Sequence, residues 1–215
     1  MLADALAFFS PASPDARLAA SVHQSRRAAH VRMSAHGTEC PERARVEEFI
    51  RAVYREHYDA RLSILAPTLV ALRSGDEILA AAGYRSATER LFLERYLDAP
   101  VEVCLARSAR DAPDRPAIVE VGHLAAARNG AGRLLMPLLG AHLAAAGFEW
   151  VVSTATEELR HLFRRLGLSP LVLGSADPSV LGADAANWGS YYDHRPHVVA
   201  GSIASGMSQL TRARI

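Results

Sequence analysis

The stretch Glu120-Val-Gly-His-Leu-Ala-Ala-Ala-Arg-Asn-Gly-Ala-Gly-Arg133 carries a strand into a helix through a turn rich in glycine. It confines the chain to folds that set such a turn at the end of a central sheet. Ala117 to Ala127 reads as the strand, and the apolar run to Ala146, closed by Gly147, reads as the helix. Phe148 to Thr154 then reads as a continuous buried strand. Thr156, ahead of Glu157 and Glu158, is placed to cap a helix reaching Leu166, with Gly167 after it.

Upstream, Val46, Phe49, Ile50, Val53 and Tyr54 recur at helical spacing between Glu42 and Asp59, opposite Glu47, Glu48, Arg51 and Arg55. Thr68 to Arg73 and Ile78 to Arg85 flank Ser74-Gly75-Asp76, a hairpin signal. Helix formers from Glu89 to Leu97 lead past Pro100 to Val101–Leu105, read as a strand that takes Cys104 as a small apolar residue. Pro170 to Leu173 and Tyr191 to Ala200 read as two closing strands. This order predicts an α/β (α+β) fold, a mixed central sheet with helices on both faces. Residues 1 to 40, with Pro11, Pro14 and scattered serines, are expected to form a loosely attached arm, with one short helix over Asp15 to Val31. The domain is expected to run from 41 to 205, with a tail from 206 to 215.

A chain of 215 residues, half of them hydrophobic, can bury a sizeable core in one domain. Its net charge of +1 gives no general pull toward nucleic acid or anionic membrane. All of its lysine-plus-arginine cations are arginine, which excludes a lysine Schiff base. Its two cysteines lack metal-ligand spacing, so no metal is expected. Asp4 stands where an export signal is basic, and no run reaches the roughly 18 apolar residues of a membrane span, so a cytoplasmic protein without stable membrane insertion is expected.

The chemistry concentrates around the glycine turn. A helix N-terminus offers unpaired N–H groups and a positive dipole end, which suit phosphate where side chains leave the approach open. Gly130, Ala131 and Gly132 leave it open, and Arg128, Asn129 and Arg133 flank it. Glycines in such a turn also serve geometry alone. Glu120, on a central strand, needs a task or a partner to justify its burial, as a general base or as the mate of an arginine. Strand alternation puts His123 on the opposite face from Glu120 unless a bulge intervenes.

With these elements the chain resembles the GNAT acyltransferases, and residues 42 to 201 more closely resemble the thermostable hemolysin family, a branch of that fold similar to acyl-homoserine lactone synthases. The matching stretches are Leu91-Phe-Leu-Glu-Arg-Tyr-Leu-Asp98, Ile118-Val-Glu-Val-Gly-His-Leu-Ala125, Trp150-Val-Val-Ser-Thr-Ala-Thr156, Leu166-Gly-Leu168, Ala176-Asp-Pro178 and Trp188-Gly-Ser-Tyr-Tyr192. The resemblance implies an acyl thioester, either acyl-CoA or acyl-phosphopantetheine on an acyl carrier protein. Its pyrophosphate would lie on Gly130 to Gly132 and its pantetheine beside Leu124 and Ala126. The usual acetyltransferase loop begins with Gln or Arg three residues before its first glycine, where this chain has Ala127, with Arg128 one residue later, a departure that bears on the choice of donor.

The resemblance also implies Glu120 and His123 as catalytic candidates, with a bulge in their strand. A backbone N–H at Leu124 or Ala125 would hold the oxyanion. The proton-donor tyrosine of many relatives aligns with Phe163, which leaves Tyr192 or Tyr191 for that role. Glu94, Arg95 and Tyr96 fall on the segment that adjoins the acyl and amine sites of the lactone synthases, and also read as a helix with solvated charges. Arg160, Arg164 and Arg165 form a basic face, either solvated or suited to an acidic carrier protein. The implied activity is N-acylation of a small amine. The alternatives are a membrane-active protein and an inactive thioester-binding module.

Overall fold

A computed structural model describes residues 31–109, 113–128 and 130–212. A seven-stranded sheet runs in the order β1-β2-β3-β4-β5-β7-β6. Its strands are β1 (Val31–His36), β2 (Thr68–Ser74), β3 (Glu77–Ser86), β4 (Ile118–Ala126), β5 (Trp150–Ala155), β6 (Leu171–Ser175) and β7 (His197–Ser202). The helices are α1 (Arg43–Tyr58), α2 (Val101–Ser108), α3 (Ala131–Ala145), α4 (Glu157–Arg165) and α5 (Ile203–Arg212). All pairings are antiparallel except β4 with β5.

Alternation along the central strands divides the core between the two faces. Ala71, Ala81 and Ala125 meet α1 on one face, where Ile118 and Val152 also pack with Val101 and Leu105 of α2. On the other, Val70, Ala80 and Val119 meet Leu135 and Leu139 of α3, and Ala155 and Val199 meet Leu162 of α4. The expected mixed sheet with helices on both faces is therefore present, as are the hairpin of β2 and β3 and the strand, glycine turn and helix of β4 and α3. Thr156 caps α4, accepting the Leu159 N–H at 3.4 Å.

Several elements depart from the sequence reading. Val101–Leu105 is helical: Pro100 precedes the first turn, Val101, Cys104 and Leu105 form a buried stripe at helical spacing, and Glu94 accepts the Val101 N–H at 3.1 Å. Side chains outside the helix thus decide its conformation, and Cys104 keeps its apolar role inside it. The helix formers at 89–97 yield only a 3₁₀ turn at Leu93–Tyr96. Tyr191 and Tyr192 stand in a 3₁₀ turn ending at His194, so the last strand starts only at His197.

Val31–His36, the end of the expected arm, is edge strand β1, and most of the expected tail belongs to α5. Buried Arg43 ties β1 in, donating to the carbonyls of His36 (3.3 Å), Ala66 (2.7 Å) and Pro67 (2.7 Å). The helix expected over Asp15 to Val31 lies outside the described residues except for Val31, which is extended.

Candidate active site

Two backbone features make the site. The first is a bulge in β4. Gly83 faces Gly122, yet Ala81 faces Ala125, so β4 spends one more residue than β3 over that interval. His123 takes up the excess at φ 53, a conformation in which side chains other than glycine are uncommon. The bulge cancels the alternation, and His123 comes to the same face as Glu120, as the family resemblance implied.

The second feature is a split between β4 and β5, which pair only over Ile118–Glu120 and Trp150–Val152. Beyond Glu120, the β4 edge that faces β5 has no strand partner among the described residues. A cavity of about 370 Å³ occupies the α1 face at this split. Glu120, His123, Tyr96 and Tyr192 line it, and so do Leu124 and Ser153. A second, mainly apolar cavity of about 190 Å³ lies on the opposite face among α3, α4, α5 and β7. Ser153 lines both, so the split carries the first cavity toward the second through the plane of the sheet.

Glu120 is buried and held on both oxygens: Oε2 accepts the Phe92 N–H at 2.8 Å and Oε1 the Leu93 N–H at 2.9 Å. Arg85 Nε lies 3.5 Å from Oε2. The arginine mate of one sequence reading is therefore present, and the carboxylate also lines the cavity. Burial raises its pKa against the lowering effect of the two N–H groups and Arg85. A carboxylate has about four lone-pair positions, so one acceptor position remains. His123 is a neutral imidazole: burial, helped by the charges of Arg85 and Arg51, pulls its pKa from 6.5 to about 4. Its Nδ1 is buried without a hydrogen-bond partner.

The adjacent tyrosines divide their work. Tyr191 is buried and donates to the Thr154 carbonyl at 3.1 Å, while Tyr192 faces the cavity and shares a 2.5 Å hydrogen bond with the Tyr96 hydroxyl. Burial raises the pKa of both Tyr96 and Tyr192, so the pair is protonated at neutral pH. Tyr192 follows the segment 187–190, which folds against the end of α1. Arg61 N–H donates to Asn187 O (2.6 Å) and Ser190 N–H to Tyr58 O (2.8 Å). Gly189 (φ 51) is required there, because a Cβ would lie 1.8 Å from Tyr58 O.

Other candidates fall elsewhere. Glu94 does not line the cavity. It forms a bidentate pair with Arg115 (2.6 and 3.0 Å) and accepts the N–H groups of Leu91 and Val101, so it is neither a substrate contact nor a solvated charge but a brace. Phe163 packs beside Leu162 on the other face and lines the second cavity. Ala125 and Ala126 are buried core residues of β4. In the glycine turn, Gly130 has φ 90 and Ala131 and Gly132 are buried in the first turn of α3. Arg133 is exposed, and Arg128 is ion-paired with Glu77 instead of standing free. None of these turn residues lines the first cavity, and Asn129 lies outside the described residues. Sequence reading missed Arg85, Phe92 and Tyr54 as lining residues. The alternation of β3 could have pointed to Arg85, but the path of residues 88–97 had no sequence signal.

The profile of the family described as thermostable hemolysin matches residues 36–207. No curated protein matches the chain in sequence. Among solved structures, it is similar to FeeM, an N-acyl amino acid synthase from uncultured soil microbes (14% identity, 87% of this chain and 99% of that one, TM-score 0.56). It is also similar to BjaI, a CoA-dependent acyl-homoserine lactone synthase solved with SAM and isopentyl-CoA (13% identity, 86% and 90%, TM-score 0.59). A third is the AHL synthase LasI (12% identity, 82% and 91%, TM-score 0.57). At these identities the likeness is one of fold.

Proposed function

Because the chain belongs to the thermostable hemolysin family, whose name states a phenotype and no reaction, we propose from the site itself that it is an N-acyltransferase moving an acyl group from a thioester to a small amine. The observation that carries this reading is the split between β4 and β5, which leads from the cavity holding Glu120 and His123 on one face toward a mainly apolar one on the other. The thioester's pantetheine would pair with the free edge of β4 near Leu124 and Ala126, its phosphate on Gly130 to Gly132. The acyl chain would pass Ser153 into the second cavity, between Met136, Phe163 and Met207.

The amine nitrogen attacks the thioester carbonyl, a C–N bond forms and the C–S bond breaks. The amine proton goes to the remaining lone pair of Glu120, whose burial moves its pKa toward that of a useful base. The N–H of Leu124 would hold the oxyanion, since that of Ala125 is on the β3 side of the strand with the Ala127 N–H that donates to Leu79 O. Tyr192, kept protonated, returns a proton to the leaving thiolate. His123, a neutral imidazole in the same lining, would orient the amine.

Two donors remain in play, acyl-CoA and acyl carrier protein. The engagement of Arg128 by Glu77 favours the carrier, whose phosphopantetheine has one phosphate, and Arg160 and Arg164 on α4 give an acidic carrier a basic face. The membrane-active alternative has less support: among the described residues no helix is long and apolar enough to cross a bilayer.

Thiol release from acetyl-, octanoyl- and palmitoyl-CoA and the matching acyl carrier proteins, with and without an amine pool, tests the proposal. Amine-dependent release with a chain-length optimum is expected, and Met136→Trp, which fills the second cavity, should move that optimum to shorter chains. Absence of both release and donor-induced thermal stabilisation would remove the thioester reading.

A further inference from the structure

On the reading of this cavity as an acyl-transfer site, we propose that its acceptor is an α-amino acid with a free carboxylate and an aromatic or large apolar side chain. The argument starts from charge. Three guanidiniums line the cavity, Arg61, Arg85 and Arg95, against two carboxylates, Glu120 and Asp184. Arg85 is matched by Glu120. Among the described residues, neither Arg61 nor Arg95 forms an ion pair, and Arg95 instead lies 4.7 Å above the Phe92 ring. The ring it covers lies 6.1 Å from that of Tyr96, and the exposed Arg95 lines the same cavity as Tyr96 and Tyr192. A planar cation beside phenolic O–H groups is a receptor for a carboxylate. The same surplus of positive charge disfavours a polyamine or any other multiply cationic acceptor.

The rings supply the second half. Phe92 lies 5.6 Å from Trp188, Trp188 6.0 Å from Tyr192, Tyr192 6.5 Å from Tyr96, and Tyr96 6.1 Å from Phe92, a closed circuit of aromatic centroids. All four line the cavity that holds Glu120. Such a wall binds a flat apolar side chain by edge-to-face and offset contacts. An amino acid bound with its carboxylate at Arg95 and its side chain on these rings directs its amine toward Glu120 and His123, which line the same cavity. Transfer would yield an N-acyl amino acid and a free thiol.

The test uses the full chain and a pair of product-like probes, N-dodecanoyl-phenylalanine and its C-terminal amide, titrated by quenching of tryptophan fluorescence. The free acid should bind about tenfold or more tightly than the amide, the size expected of a charge-assisted contact, and Arg95→Met should erase that difference. Equal binding of acid and amide, tighter binding of N-dodecanoyl-spermidine, or no binding of any probe overturns the inference. The two readings fail separately. Thiol release with spermidine and not with phenylalanine keeps the transferase and sinks this acceptor. A retained preference for the acid without thiol release from any donor keeps the acceptor site and sinks the transferase.

Discussion

Replacing His123 with asparagine isolates the cost of burying an imidazole at the bulge. Asparagine tolerates the left-handed backbone at φ 53, so the bulge should survive the change. In the wild type the folded chain binds the His123 proton only below about pH 4, whereas the unfolded chain binds it below 6.5. Between these values the unfolded state holds more protons, so stability rises with pH and is lost as pH falls. The gap from 6.5 to about 4 corresponds to about 3 kcal/mol. Urea unfolding of both proteins at pH 7, 6, 5 and 4, followed by tryptophan fluorescence, should therefore show the wild type losing about 3 kcal/mol more than His123→Asn between the extremes. His36 and His57 also have lowered pKa values, through burial, but occur in both proteins and cancel. Parallel stability curves would refute the reasoning and mean that solvent or a counter-charge reaches the ring.

Glu120→Gln exchanges one acceptor oxygen for a donor facing the Phe92 or Leu93 N–H, so it should cost about 1–3 kcal/mol in denaturant melts. Lost turnover alone therefore does not identify a base, whereas loss of the acidic limb of the pH–rate profile does. Glu94→Ala leaves Arg115 paired with Glu102 alone and removes the acceptor of the Val101 N–H at the start of α2, with an expected loss of about 1–2 kcal/mol. Arg115 holds the Glu94 pKa below its ordinary value, so that stabilisation is present above about pH 4.5 and is lost as pH falls through the lowered value; an acid melt of wild type and variant should converge there. Gly189→Ala should detach the 187–190 segment from α1, seen as altered Trp188 fluorescence and loss of ligand-induced quenching with the sheet still folded.

The sheet was legible because its strands carry either long apolar runs, as in β5, or a turn signal, as between β2 and β3. The glycine turn and its helix were legible for the same reason. What escaped was set by distant partners. Val101–Leu105 has the β-branched look of a strand, and only the Glu94–Arg115 brace and the burial of its helical stripe decide against it. β1 is an exposed edge strand whose register comes from pairing with β2 and from Arg43. In the site, Glu120, His123, Tyr96 and Tyr192 were found in sequence and meet in one cavity, although three of the four come from segments whose local structure is irregular. Arg61 and Phe92 reach it through the chain's path over the sheet, which no local pattern encodes.

The early end of the β4–β5 ladder also divides the sheet mechanically. Three residue pairs at the start of these strands bind the two halves of the sheet together through main-chain bonds. Past them, no strand pair among the described residues joins the halves, which are held by what packs above and below. Local opening is easiest where hydrogen bonds are missing, and here the paired end lies at Glu120 and the unpaired end at Leu124 and Ser153. The carboxylate sits at the paired end, where its geometry varies least. The gap beside it can widen for a bulky guest without breaking a single strand pair.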